Sequence, residues 1–513
     1  MIELIRLKAI LDRLSSKERI SIKKNILFEG RKKESFYTTQ KIFDILVSSS
    51  DIDVNNICIS LYGKVNLIAL KKLLQRLTDK VLEILASKDL LLNSEIYDRR
   101  AKEVFNIRRK LLYYDILAAH GATNYALIIL NQVIALAKKI EYYDYLMISL
   151  EKKLIKMSLG SGEINFGKVY KDIKHYSDCN SSIKNCIYLL RLYSSNYEYK
   201  QKLFSNENLL LAIKKVKEDY KRTGSNSVKI YIYYLEGIYY FNNEMYLKCK
   251  DNFKLFYKYL KSHPNIVYNS YLVTCLINIS EMDTMLGNFE YSLRGLKKII
   301  NQFSRNEFND KLIKEMIFIN YFFMGDLEKA LENVNILLDI KLRDLISSFL
   351  IAKRYFYLAV IYSIQGLFSD SNKLLANCQP LDKDKEGWNI GVRILAIINN
   401  IELGELDYVE SQIENLRKHI SRTRNESFLF LRFSIISKIL IYLMNNSFNF
   451  IVVSNNYKKL FEKLRSNKSS SRWVLKSPEM IIFHEWFDAK VKGIPYDHTE
   501  IMKRLKRNNR TNN

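Results

Sequence analysis

The sequence predicts an all-α protein, an α-solenoid of stacked helical hairpins preceded by a separate helical N-terminal region. The first reason is a phrase that recurs five times between Tyr231 and Leu416: a hydrophobic helix, a short turn, then a small residue followed by larger apolar ones at fixed offsets. The second is punctuation. Only 4 prolines and 16 glycines interrupt 513 residues, too few turn residues for a many-stranded β fold. The third is size and apolar content. With 48% hydrophobic residues the chain has ample material for a core, and its length exceeds what one core serves.

Residues 1–95 read as the N-terminal helical region. Ser15 and Glu18 have the spacing of a capping box, in which the hydroxyl takes one orphan amide and the carboxylate reaches back to another. Helices are expected at about 17–27, 39–48 and 67–86, the last with Leu70, Leu73, Leu74, Leu77, Val81 and Leu85 on one stripe. Residues 96–228 carry the first, irregular hairpins. Gly121 marks a turn, Ala126 takes the small position, and Leu130 and Val133 follow. A helix over 141–157 aligns Leu146, Leu150 and Leu154, and interruptions are expected at 177–182 and 222–227.

Residues 229–465 form the repeat array proper. Its turns fall at 243–246, 286–289, 324–327, 365–368 and 403–406, and its small positions are Cys249, Ser292, Ala330, Ser371 and Val409. Four and seven residues later come Phe253 and Phe256, Leu296 and Ile299, Val334 and Leu337, Leu375 and Cys378, Ile413 and Leu416. A helical hairpin cannot bury its apolar face alone, so hairpins stack, and a small residue permits close helix crossing. Glycine supplies the backbone angle that the turn needs. One more hairpin is expected at 428–444 and 457–464, with a break at Ser469, Ser470 and Ser471. Residues 466–502 are expected to form a C-terminal helical cap whose Trp473, Phe483, Trp486 and Phe487 close the open end of the array. Residues 503–513 read as a basic, polar, disordered tail.

The net charge of +26 can draw a protein to nucleic acid or anionic surfaces. The excess is mostly diffuse, with clusters at Arg99/Arg100/Lys102, Arg108/Arg109/Lys110 and 503–507, and a solvated surface accounts for most of it. Six scattered cysteines (Cys58, Cys179, Cys186, Cys249, Cys275, Cys378) fit a reducing compartment without a disulfide framework. Charges at Glu3, Arg6 and Lys8 interrupt the apolar core a signal peptide needs, and Arg432 and Lys438 interrupt the one tempting membrane span at 428–444. A cytoplasmic protein with no membrane span is expected.

No constellation of residues demands a reaction. Gly162 to Lys168 has the first half of a phosphate-cradling loop, but Val169 stands where a Mg²⁺-binding hydroxyl is needed, and a turn between helices is the better reading. His175, Cys179 and Cys186 lack a fourth ligand and a familiar zinc spacing. His484-Glu485 lacks the second histidine of a zinc-protease helix, and His120, His263, His419 and His498 stand alone. No catalytic residue, cofactor or metal is therefore expected. Among the 35 tyrosines, Tyr234, Tyr240, Tyr246, Tyr321, Tyr357 and Tyr362 fall in or next to the hairpin pattern, where rings fill gaps between helices.

This pattern resembles the tetratricopeptide repeat. Gly237 and Tyr240 with Cys249 and Phe253, and Ala359 and Tyr362 with Ser371 and Leu375, match that family's small-then-tyrosine and small-then-large positions. The family's tryptophan is absent, its terminal proline is missing or displaced, and the spacing of the small positions exceeds its period of about 34 residues. The whole chain is also similar to a group of helical-repeat proteins of comparable length in Bacteroidetes, through residues 14–18, 41–44, 70–85, 126–145 and 486–490. That similarity implies a helical fold and a cytoplasmic location and no particular activity. The tetratricopeptide resemblance implies that peptides bind the concave face made by each hairpin's first helix. In this chain that face would include Tyr231, Tyr234, Ile238 and Phe241 in one unit and Lys353, Phe356, Val360 and Ser363 in another. The candidate partner groove is thus Tyr231, Tyr234, Phe241, Lys353 and Phe356, which is too apolar for the family's carboxylate clamp. The reading that follows is a non-enzymatic scaffold for a protein or peptide, with a basic nucleic-acid-binding regulator as the alternative.

Overall fold

Each first helix of the array ends on a residue in the left-handed conformation, and this one angle turns the chain back on itself. The computed structural model describes residues 2–29, 35–48, 53–86, 97–157, 163–195, 206–302, 307–339, 348–378, 387–422, 428–466 and 471–511. Regular structure among them is helical throughout. The chain divides into two compact units, Met1–Lys174 and His175–Asn513.

In the first unit five helices precede the first hairpin: Ile2–Arg13, Ser16–Glu29, Ser35–Ser48, Val54–Tyr62 and Leu67–Leu85. Ile2–Arg13 and Val54–Tyr62 add to the three expected from sequence. Both carry readable signals. Leu4, Leu7 and Leu11 are buried at helical spacing. Asp53 accepts from the Asn55 amide, and Gly63 ends the helix at φ 71°. The capping box forms, with the Ser15 amide donating to Glu18 Oε2 at 2.8 Å and the Glu18 amide to Ser15 Oγ at 3.3 Å. The core of this region joins Leu7, Leu11, Ile22, Ile42, Leu46, Cys58, Leu70, Leu74 and Val81. The hairpin Arg99–Ala119 and Thr123–Lys139 follows, turning at Gly121 with φ 78° and burying Ala126, Leu130 and Val133.

Two expected interruptions are absent. Glu163–Ser195 is one continuous helix of 33 residues, so Gly167, Lys168 and residues 177–182 are helical. Gly162 lies outside the described residues. Amides held in a helix are committed to their own carbonyls beyond the first turn and cannot cradle phosphates there. The break at 222–227 does occur: Gly224 has φ 65°, and Ser225 caps the next helix by accepting from the Val228 amide.

Six hairpins among the described residues of the second unit are named I to VI here. They pair Asn226–Asn242 with Tyr246–Ser262, Asn269–Met285 with Phe289–Gln302, Glu307–Met324 with Leu327–Asp339, Ser348–Ile364 with Phe368–Ala376, and Trp388–Leu403 with Leu406–Arg422. The sixth pairs Phe428–Asn445 with two short helices, Phe450–Asn456 and Lys458–Arg465, so its second arm begins earlier than expected and breaks at Tyr457. The left-handed residues are Glu244, Gly287, Gly325, Gly366 and Gly404, joined in hairpin VI by Ser447 and Phe448. In hairpin II the Asn288 amide donates to the Asp283 carbonyl at 2.7 Å and the Gly287 amide to Thr284 at 3.0 Å, and the equivalent pair closes the other five. The carbonyl just after the left-handed residue then accepts from the small residue's amide: Met245 from Cys249, Asn288 from Ser292, Asp326 from Ala330, Leu367 from Ser371 and Glu405 from Val409. One residue thus ends a helix and the next begins another.

The small positions are buried with the residues four and seven places on. Some are also tied across the hairpin. Ser371 Oγ donates to the Ala359 carbonyl at 2.7 Å, and the Cys249 thiol to the Gly237 carbonyl at 3.4 Å. Gly237 permits a close approach of the two helices, since a Cβ there would lie 2.7 Å from Phe253 Cζ. Tyrosines fill the remaining gaps, Tyr357 within the core and Tyr442 stacked on Tyr457 at 3.8 Å.

The C-terminal segment departs from expectation. Rather than closing an open end, Trp473, Phe483, Trp486 and Phe487 join the core formed by hairpins III to VI. Residues 503–511, expected as part of a disordered tail, belong to the helix His498–Thr511, and residues 512 and 513 lie outside the described residues. The physical reason is apolar burial: Met480, Ile481, Ile482 and Phe483 are each at most 5% exposed and belong to the core of hairpins III to VI.

Gly237→Ala places a methyl inside the Phe253 ring, and should lower unfolding free energy by about 1–3 kcal/mol despite alanine's better helix propensity. Gly366→Ala meets open space but a φ of 80°, and should cost about 1–2 kcal/mol from backbone strain alone. Urea unfolding of both variants checks this; a neutral Gly237→Ala would refute the packing described.

Candidate functional site

The candidate site is the face made by the first helices of the hairpins, and a non-helical stretch of the chain's own polypeptide already lies on it. Residues 471–482 contain no helix. Arg472 pairs with Glu244 in the turn of hairpin I. Lys476 reaches Glu281 on the first helix of hairpin II at 2.6 Å, from a left-handed backbone at φ 67°. Pro478 lies against Gly391 of hairpin V, where a Cβ would come within 2.6 Å of its carbonyl oxygen. The Trp486 indole and Lys490 both donate to Glu402 of hairpin V, at 2.8 and 2.9 Å. The next helix begins with His498 Nε2 on the Phe322 carbonyl at 3.0 Å and the Thr499 hydroxyl on the Gly325 carbonyl at 2.9 Å, which serves the carbonyl end of hairpin III's first helix. In a chain with a net charge of +26, acids on the first helices meet bases of the C-terminal segment.

At the centre is Arg432, on the first helix of hairpin VI and 1% exposed. Its five donors are all matched. Nε and Nη2 donate to the two oxygens of Glu479, Nη1 to the carbonyls of Leu464 and Ser471 at 3.0 and 2.9 Å, and Nη2 also to His484 Nδ1 at 3.1 Å. Glu479 Oε1 further accepts from the Phe483 amide at 2.9 Å, at the positive end of the helix Phe483–Lys492. Burial, and then Arg432, push the His484 pKa down to about 3. A neutral ring suits an imidazole nitrogen that accepts from a guanidinium. Burial likewise lowers His498 to about 4.

The five residues named from sequence fall on the first helices of hairpins I and IV. Tyr231 is half-buried. Tyr234 packs edge-on against Phe256 at 5.0 Å, and burial raises its hydroxyl pKa. Phe356 is 2% exposed and lies edge-on to Trp388 at 5.8 Å, so it offers no surface to a partner. Lys353 pairs with Glu315 at 2.9 Å and sits 4.6 Å from the Trp388 ring centre. Phe241, 39% exposed, is the most accessible of the five. Burial raises the Glu315 carboxyl, yet Lys353, the Tyr357 hydroxyl and Lys476 together hold it below its ordinary value. The residues missed by sequence reasoning were the acids Glu244, Glu281 and Glu402 with Arg432 and Glu479. Arg432 was the available signal, as a cation in the middle of an apolar helix.

Other clusters have local explanations. Arg100 donates to the Ile140 carbonyl at 2.6 Å and Arg108 to the Tyr142 hydroxyl at 2.9 Å, which ties part of the basic run into its own helical layer. His175 Nε2 lies 3.8 Å from Cys179 Sγ, one helical turn away. Cys186 is fully buried, and desolvation with Asp219 pushes its thiol up to about 12. All six cysteines are free and buried. Among the described residues no helix is long and apolar enough to cross a membrane.

No protein-family model matches the chain. No curated protein matches it. Among solved structures it is similar to the apo form of RapI, at 14% identity over 79% of this chain and 97% of that one, with a TM-score of 0.44. It is also similar to a Rap protein complexed with competence and sporulation factor, at 11% identity over 79% of this chain and 98% of that one, with a TM-score of 0.41.

Glu479→Gln leaves the Arg432 charge buried without its counter-ion and should cost about 3–5 kcal/mol, whereas Lys490→Ala, in a partly exposed pair, should cost less than about 1 kcal/mol. Denaturant unfolding compares the two. Both histidines titrate lower in the folded than in the unfolded chain, whose value is about 6.5. The unfolded state therefore binds more protons below that pH, and stability should fall by a few kcal/mol as pH drops from about 6.5 towards 4. His498→Gln, which keeps a donor for Phe322, should flatten part of that slope in unfolding measured across pH.

Proposed function

We propose that this chain is a non-enzymatic scaffold that binds a protein or peptide through its helical-repeat surface. The observation that carries the reading is the seating of residues 471–482: a non-helical polypeptide held on the first helices by Glu244, Glu281 and backbone contact at Gly391. A face that holds one such stretch has the chemistry to hold another, where first-helix residues such as Phe241 remain exposed. Six free thiols suit a reducing, cytoplasmic setting. The likeness to helical-repeat proteins of Bacteroidetes belongs to the same reading. A second reading, nucleic-acid binding, draws on the net charge of +26 and on basic runs such as that at 108–110.

A photoreactive residue at Phe241, on the first-helix face, should yield protein adducts in cells, and one at Leu255 on the second helix of the same hairpin should yield fewer. Adducts at neither position would sink the scaffold reading. Binding to DNA or RNA that falls steeply with salt would favour the second reading, and no gel shift at low salt would remove it.

A further inference from the structure

Hairpins IV and V form a half-open cavity of about 390 Å³ between the helices Phe368–Ala376, Trp388–Leu403 and Leu406–Arg422. Its floor is apolar, from Leu375, Val392 and Ala396, and no carboxylate lines it. Its one charged residue is Arg393, half-buried, which makes no hydrogen bond or ion pair with the described residues. Arg432 and Arg100, the buried arginines described above, have acceptors; this one, lining a cavity, has none among the described residues.

A chain of side-chain amides leads to the same place, and its direction is fixed by one hydroxyl. Ser371 Oγ donates to the Ala359 carbonyl at 2.7 Å, so towards Asn399 it can only accept. Asn399 must therefore point its NH₂ at Ser371 and at Asn372 Oδ1, 3.0 Å away, while its oxygen accepts from the Ser363 hydroxyl at 2.6 Å. Asn372 in turn gives its NH₂ to Asn400 at 2.7 Å, and Asn400 gives its own to Gln412 Oε1 at 3.0 Å. Each oxygen is used by the preceding group, so the last NH₂, that of Gln412, is left over at the cavity wall. Aligned amides polarise one another, which strengthens the terminal donor.

We propose that this cavity is a binding site for a carboxylate carried on a short apolar stem. The guanidinium and the Gln412 amide supply donors for the two carboxylate oxygens, and the single positive charge matches a monoanion better than a phosphate. The floor takes the stem, and the volume is in the range of small-molecule sites. The carboxylate is that of a free short-chain acid or of a peptide's apolar C-terminal residue. The proposal is independent of polypeptide binding on the first-helix face.

The test uses the full chain and isothermal titration with hexanoate, with hexan-1-ol as the uncharged match, and with a short acetylated peptide ending in leucine as free acid or amide. Hexanoate or the free-acid peptide should saturate one site, and the alcohol and amide should bind about tenfold more weakly or not at all. Whichever acid binds identifies the source. Arg393→Met keeps the apolar stem and should abolish the preference for acid over its uncharged match. Gln412→Glu keeps an oxygen for Asn400 and puts a fixed carboxylate beside Arg393, so it should exclude the added acid. Equal binding of acid and uncharged match, indifference to Arg393→Met, or no saturable binding by either acid would overturn the proposal.

Discussion

A guanidinium removed from water is tolerable only when every N–H finds an acceptor and the charge finds a counter-ion. Arg432 meets both conditions with five hydrogen bonds to four residues: Leu464 at the end of hairpin VI, Ser471 beyond it, Glu479, which takes two, and His484. Residues 471–484 cannot leave the array without stranding that charge. The seating of Trp473 against Phe323, of Trp486 on Glu402 and of His498 on Phe322 follows from this anchoring. A pair of this kind adds little net stability compared with a well-packed apolar substitute; it fixes which arrangement the chain adopts.

The hairpins were legible in the sequence because their determinants are local. A left-handed residue, a small residue a few positions on and apolar partners one and two turns further are all written within a single window. Gly287, Ser292, Leu296 and Ile299 show the complete set, and each behaves as its position implies. Residues 177–182 misled for the opposite reason. Serines and an asparagine weaken helix propensity, but propensity yields where tertiary contacts take over, and Ser182, 3% exposed, accepts from Arg222 at 3.2 Å. The candidate groove was only partly legible. Nothing in a linear pattern pairs Lys476 with Glu281 or Arg472 with Glu244, which lie 195 and 228 positions apart. Arg432 was noticed as an obstacle to a membrane span, whereas its partners Glu479 and His484 carried no local signature.

The same distinction separates the two polar networks of the second unit. Around Arg432 every donor is consumed, so the network closes on itself and acts as a fastening. Between hairpins IV and V the amide chain from Asn399 to Gln412 runs in one direction and ends on a free donor. Closed networks set the fold, and open ones face outward chemistry. The charge on the chain divides in a similar way: Lys490 and Lys476 are committed to acids of the array, and Arg100 to a backbone carbonyl.

Because residues 471–506 are made after all six hairpins, the array spends part of its synthesis with the first-helix face uncovered. Glu281 and Phe322 wait for Lys476 and His498, which emerge 195 and 176 positions later. Local hairpins form early and contacts of such long sequence separation form last. During that interval the aromatic interior of hairpins III to VI is open to chaperones and to misassociation with other chains. A chain interrupted before Glu479 would retain the local turn bonds of its repeats but lack the counter-ion of Arg432 and the apolar residues that complete the core of hairpins III to VI.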